Sequence, residues 1–310
     1  MNKNDNKKIE ELLALNRKHY GENFLTKEYL QDYCKNKFEY FLDIYKRLNY
    51  TGSFGSILHE IATQCVNYSL YNNYLNKNTT ELINGLCTFC RLSYFYSQSL
   101  TLKSAGTDVA HIDFVLITAA VNDQDLLQAY LNNKPGPFSK GRTESNIFAN
   151  SLYLIINKDK APEKINKTVN EIDRVLELKS VGKYEKAFLS CIKCIITHDY
   201  SNFLENINII LKLHKSKDGR YTFHPILKYA ICLPVIAFYN LAYLDKDRKT
   251  PMPPESDHPL WDSELWHEII KANQKREYTI DVEKVSPVLK KWMDELPEKI
   301  DFQELAESLK

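Results

Sequence analysis

Two pairs of cysteines at the C-x-x-C spacing, Cys87–Cys90 and Cys191–Cys194, are the first residues whose types and spacing invite a chemical reading. Four thiolates converging on one ion make a tetrahedral zinc site, and one pair beside a βαβ unit makes a redox couple. Here the pairs stand about 100 residues apart, inside apolar helical patterns and with no glycine-bearing turn. All seven cysteines therefore read as reduced thiols of a helical core. His59-Glu60 and His267-Glu268 each begin an H-E-x-x-H metal motif, but Thr63 and Lys271 stand where its second histidine belongs. Asp123-Gln-Asp125 and Asp245-Lys-Asp247 carry carboxylate pairs of the kind that hold Mg²⁺. Each lies at a helix end, where the backbone dipole alone favours an acidic side chain. His198-Asp199 sets an imidazole beside a carboxylate, with no serine or cysteine nucleophile tied to it. There is no glycine loop for phosphate and no nucleophile elbow. The chain reads as a non-enzyme without cofactor or metal. A metal-dependent helical enzyme is the remote alternative, with His111, Asp123, His198 and Asp199 as its first suspects.

Contact chemistry is better represented. The segment from Asp257 to Glu268 sets Trp261 and Trp266 among Asp257, Asp262, Glu264 and Glu268. Tryptophan dominates interface hot spots, and carboxylates around it steer a basic partner. The competing reading is that both tryptophans fasten a terminal helix to the rest of the protein. Residues 255–310 carry 14 acidic and 8 basic side chains, whereas the whole chain has 41 basic and 40 acidic, a net charge of +1. With basic residues dispersed and no global field, the composition argues against nucleic acid or an anionic membrane as a direct partner.

The elements that position these residues follow from apolar spacing. Leu30, Cys34, Phe38, Phe41, Tyr45 and Leu48 recur in steps of three and four, predicting one helix face over 26–48 with Thr26 as its N-cap. Ser53 opens a helix that buries Ile57, Ile61 and Cys65, and Asn78 with Glu81 forms a capping box for a helix through Leu100. Pro225 suits the first turn of an apolar helix from Ile226, which Pro234 should kink. Asp301 with Glu304 caps a last short helix. No strict apolar–polar alternation marks a strand.

Between residues 107 and 245 an αα-hairpin recurs three times. Apolar helices over 109–121, 147–156 and 184–196 each end in a polar step containing Asp123, Asp159 or Asp199, followed by an amphipathic helix. These aspartates lie 36 and 40 residues apart, each placed to cap the second helix. The expected fold is all-α, a single large domain of stacked antiparallel hairpins. Residues 1–245 form its body (1–106 N-terminal helices, 107–245 hairpins), and 246–310 a proline-rich connection and acidic helices packed on that body. The polar N-terminus has no export signal, and the longest apolar run, Tyr229 to Tyr239, is too short to span a bilayer. A cytoplasmic protein, free to form homo-oligomers through an apolar face, is expected.

One pattern goes further. Ala187 to Asp199 followed by Phe203, the loop Lys215 to Tyr221, the helix from Pro234 to Tyr243 with Leu241-Ala242, and the step into Pro259-Leu260 together resemble the all-α immunity protein 49 family of bacterial polymorphic toxin systems. The resemblance spans about residues 113–265. It implies inhibition: such a protein binds a cognate toxin, in this family often a nuclease, and occludes its active site. Asp257, Trp261, Asp262, Glu264, Trp266 and Glu268 would then meet a basic toxin surface. The rival expectation is a helical-repeat scaffold or regulator that binds a peptide or protein through a groove lined by asparagine or aromatic residues.

Overall fold

Helical periodicity is borne out: the computed structural model contains sixteen α-helices, one short 3-10 helix and no strand among the described residues. The structure describes residues 3–49, 55–99, 107–132, 143–156, 162–216, 223, 225–244, 258–271 and 277–307. In chain order the helices begin with α1 (Lys3–Tyr20), α2 (Lys27–Arg47), α3 (Gly55–Asn76) and α4 (Thr79–Ser99). Then come α5 (Thr107–Ala120), α6 (Gln124–Asn132), α7 (Thr143–Ile156), α8 (Pro162–Leu176), α9 (Lys183–Thr197) and α10 (Phe203–Leu213). The chain closes with α11 (Leu227–Ala230), α12 (Leu233–Ala242), α13 (Ser263–Lys271), α14 (Val282–Val285), α15 (Pro287–Glu295) and α16 (Phe302–Glu307). Packing groups Lys7–Leu100 with Glu268–Lys310 in one unit, and Met1–Asn6 with Thr101–His267 in a second. Of the expected proline-rich connection after residue 245, residues 246–257 lie outside the described residues, as do Ser53 and Asp159.

In the first unit α3 and α4 form the most closely packed pair. α3 is buried along most of its surface from Gly55 to Tyr71, and only a polar stripe of Ser56, His59, Glu60, Thr63 and Gln64 stays partly exposed. At the crossing, a Cβ on Gly85 would overlap the Oγ and Cβ of Ser69. Replacing Gly85 with alanine is therefore expected to destabilise this unit by about 1–3 kcal/mol, read as a lower urea midpoint, because the helices must separate to admit the methyl. Thr26 caps α2 as expected, its Oγ1 accepting from Tyr29 N–H at 3.2 Å. The buried stripe of α2, however, is Leu30, Cys34, Phe38 and Leu42. Phe41 and Tyr45 are only half-buried and Leu48 is 54% exposed, so the stripe leaves the expected line after Phe38. Steps of three and four are equally helical, and the choice of Leu42 over Phe41 falls to the helices packed on α2, namely α3, α14 and α16. The C-terminal helices join through polar bonds: Thr279 N–H donates to Thr88 Oγ1 at 3.0 Å, and the buried Arg91 donates to Met293 O. Asp301 caps α16, accepting from Gln303 N–H at 2.8 Å and Glu304 N–H at 3.3 Å.

The second unit holds the hairpins. α5 packs on α6, α7 on α8 and α9 on α10, while α5, α7 and α9 also pack in succession. α12 lies against α5, α9 and α10, and all ten of its residues are buried, as its all-round apolar sequence requires. The expected kinked helix from Ile226 is instead two helices. α11 stops at Ala230, Ile231 is extended, and Cys232 N–H donates to Leu260 O at 2.9 Å. Pro234 sits in the first turn of α12, where its missing N–H has no carbonyl to serve.

Candidate functional site

The hairpin turns use their aspartates differently. Asn122 takes the left-handed conformation that ends α5, and buried Asp123 caps α6 by accepting from Leu126 N–H at 3.1 Å. His198 takes the same left-handed conformation after α9. Asp199, expected to cap α10, instead closes the turn by accepting from Ser201 N–H at 3.1 Å, because α10 starts three residues too late for it to reach. His111 is buried, stacked on Tyr153 with Nε2 2.7 Å from its hydroxyl. The four suspects of the metal reading are thus dispersed over a turn, two caps and a core ring pair. Among the described residues no group of three or more His, Cys, Asp or Glu is arranged to hold a metal ion.

Both C-x-x-C pairs lie within helices, and all seven cysteines are buried and in no disulfide. Burial raises the Cys191 thiol well above its ordinary value and pushes Cys194 up to about 11. Such thiols stay protonated and unreactive at neutral pH.

The acidic tryptophan segment divides. Trp261 and Trp266 turn inward at 8% and 4% exposure, their rings 6.4 Å apart and packed on Tyr239 of α12. Trp266 Nε1 donates to buried Asn240 Oδ1 at 2.9 Å, and Asn240 Nδ2 in turn donates to Ala119 O and Ala120 O at 2.9 and 3.0 Å. Both rings assigned to a partner are spent on the core, although only Trp266 finds a polar partner for its indole N–H; the buried Trp261 Nε1 makes no hydrogen bond among the described residues and is held by its apolar packing. Asp262 caps α13 by accepting from Leu265 N–H at 2.9 Å. Glu264 and Glu268 are exposed one helical turn apart, and Asp257 lies outside the described residues.

Two concave surfaces went unrecognised in the sequence. On the outer side of α2, Tyr29, Asp32, Tyr33, Asn36, Lys37 and Tyr40 line a groove of about 450 Å³. The rings of Tyr29 and Tyr33 stack 6.2 Å apart, and Tyr40 is 58% exposed. Glu60 of α3 anchors the groove by accepting from Tyr33 Oη at 3.1 Å and pairing with Lys37 Nζ at 2.8 Å. That burial and the adjacent carboxylate raise the Tyr33 phenol far above its ordinary value. Lys35 pairs with Glu39 and Arg47 with Asp43, whereas Asp32 enters no ion pair among the described residues. The signal was legible as Tyr29, Tyr33, Asn36 and Tyr40 at one residue per turn, but these positions flank the apolar stripe and read as its margin.

The second concavity, about 430 Å³, lies at the α9–α10 turn. Ser190, Lys193, Cys194 and Thr197 supply the α9 wall, Asp199, Ser201, Asn202, Glu205 and Asn206 the turn and α10, and Leu176 ends α8 beside them. No helix among the described residues is long and apolar enough to cross a membrane. The chain matches no family model, no curated protein and no solved structure.

Proposed function

We propose that this chain works by binding another protein, as an immunity protein does when it occupies a cognate toxin. The observation that carries the reading is the α2 groove: three tyrosine rings and the Asp32 carboxylate, which enters no ion pair among the described residues, carried on one helix. Tyrosine supplies broad contact area at little entropic cost, and Asp32 gives the groove a preference for a basic partner. Glu264 and Glu268 on α13 offer the same preference. A carboxylate-bearing surface can take the electrostatic place of nucleic acid on a toxin that grips phosphates. Aromatic and asparagine-lined surfaces equally serve a scaffold, so the partner's nature decides between the two.

The test is to co-express the product of the adjoining open reading frame with this chain in a heterologous bacterium and score survival. Relief of toxicity by the wild-type chain supports inhibition. A harmless neighbour, or toxicity left unrelieved, overturns it. Replacing Tyr29 and Tyr40 with alanine is expected to weaken partner binding by about 10- to 100-fold, measured by calorimetry, with the helical circular dichroism signal unchanged. Equal affinity would remove the groove from the interface.

A further inference from the structure

We infer that the outer face of α2 pairs with the same face of a second copy of this chain, antiparallel and about a two-fold axis. The pairing stands on its own observations. Only its consequence, that the second copy covers the α2 groove and a partner must displace it, rests on the function proposed above.

α2 runs for 21 residues, about 31 Å, and is supported along two of its edges. Glu60 of α3 holds Tyr33 and Lys37 on one edge. Gln31 holds the other, exchanging hydrogen bonds of 3.0 and 2.8 Å with the backbone of Asp281 ahead of α14. Between these supports Tyr29, Tyr33, Asn36, Tyr40, Asp43 and Arg47 recur in alternating steps of four and three. That spacing keeps one seam of a helix turned toward a partner helix.

The seam complements itself when one copy is reversed. With the axis at residue 38, Tyr29 lies opposite Arg47 of the second copy, Tyr33 opposite its Asp43, and Asn36 opposite its Tyr40. Arg47 is paired with Asp43 in its own helix, which leaves the flat face of its guanidinium for the Tyr29 ring. Asn36 and the 58% exposed Tyr40 make no hydrogen bond through their side chains among the described residues. The carboxamide of one copy and the hydroxyl of the other can therefore join across the axis, and a polar layer of this kind fixes the register of paired helices.

Charge sets the direction. Asp32 and Lys46 flank the same edge of the seam at opposite ends of α2, and neither enters an ion pair among the described residues. Antiparallel pairing sets Asp32 of each copy against Lys46 of the other, whereas parallel pairing would oppose like to like. The groups that meet their own counterparts near the axis arrive neutralised, Glu39 by Lys35 at 3.9 Å and Lys37 by Glu60 at 2.8 Å. Each match takes both its halves from this one face, which is why the occupant is a second copy. One helix pair buries less than the ~800 Å² per partner of a standard interface, so a weak dimer is expected, with a Kd of about 10–100 μM.

Sedimentation equilibrium of the full chain between about 1 and about 500 μM should show reversible monomer–dimer exchange. Asp32→Lys alone and Lys46→Asp alone each place like charges at both ends of the pair and should weaken the dimer about tenfold or more. The double variant Asp32→Lys with Lys46→Asp restores opposite charges and should return the affinity to within about twofold of the wild type. Asp32 is exposed and Lys46 partly so, and unchanged circular dichroism in all four proteins separates lost pairing from lost folding. A wild-type chain that stays monomeric at the highest concentration, single variants that dimerise normally, or a double variant that does not recover would each overturn the pairing. No partner enters this measurement, so its failure is distinguishable from failure of the groove to bind one.

Discussion

Replacing Asn240 with leucine is expected to destabilise the second unit by about 4 kcal/mol, although leucine is close in size and far more apolar. Asn240 is 4% exposed on the all-buried helix α12 and joins three elements at once. Its amide group serves two carbonyls in the last turn of α5, and its oxygen receives the Trp266 indole N–H. Ala119 O retains the N–H of Asn122 at 3.0 Å, so leucine strands chiefly Ala120 O and the indole N–H. A buried polar group left without a partner costs about 1–3 kcal/mol, and two are left. Urea unfolding followed by circular dichroism measures the loss. Combining the change with Trp266→Phe removes one stranded group. The double variant should therefore be less destabilised than the sum of the two single changes, by about 1–2 kcal/mol. A change within the ±0.5 kcal/mol typical of surface substitutions would mean that the network contributes little.

Acidification should destabilise the same unit through His214. This histidine is fully buried at the end of α10, its Nδ1 3.0 Å from the Tyr184 hydroxyl and its Nε2 without a hydrogen-bond partner. Burial, reinforced by the charges of Lys228, Lys215 and His258, lowers its pKa from 6.5 to about 4. His258 is itself lowered, by burial and Lys215, and acts in the same direction. Asp5 pairs with Lys215. Above about pH 6.5 neither folded nor unfolded chain holds the His214 proton, and its full stabilisation is present. Between 6.5 and about 4 the unfolded chain binds the proton while the folded chain refuses it, so stability falls as pH falls. Below about 4 both states are protonated and the loss levels off at about 3 kcal/mol. Urea midpoints at pH 7 and pH 4 for the wild type and for His214→Gln isolate this contribution, because carboxylate titration is common to both proteins. Parallel pH dependence in the two would exclude the histidine as the cause.

Local signals were legible wherever one side chain acts on its own backbone. Thr26, Asn78, Asp123 and Asp301 cap the helices they were expected to cap. The alternation of apolar and amphipathic helices likewise announced the hairpins, since burying an apolar helix requires a neighbour on each side. Legibility failed at Phe41 against Leu42, where two helix faces are equally apolar, and at Pro234, where a kink and a fresh start are the same pattern in one dimension. The candidate surfaces were harder still. The tryptophans drew attention because they are large, but size favours burial as much as contact. The α9–α10 cavity draws on Leu176, four residues of α9 and five of the turn and α10, and in one dimension these look like ordinary surface.

The amino-acid sequence by itself determined the helical class, the caps that open α2, α4, α6 and α16, and the paired organisation of residues 107–213. Periodicity and capping are interactions among residues three and four apart, and they are complete before any helix meets another. Only the tertiary structure decided that Trp266 bonds to Asn240 rather than to a partner, that 268–310 groups with 7–100, and which polar groups keep unused valence. Those outcomes depend on whether a distant residue arrives to supply a donor, an acceptor or an apolar wall. Asn240 is the plainest case, since its role exists only where α5, α12 and α13 meet.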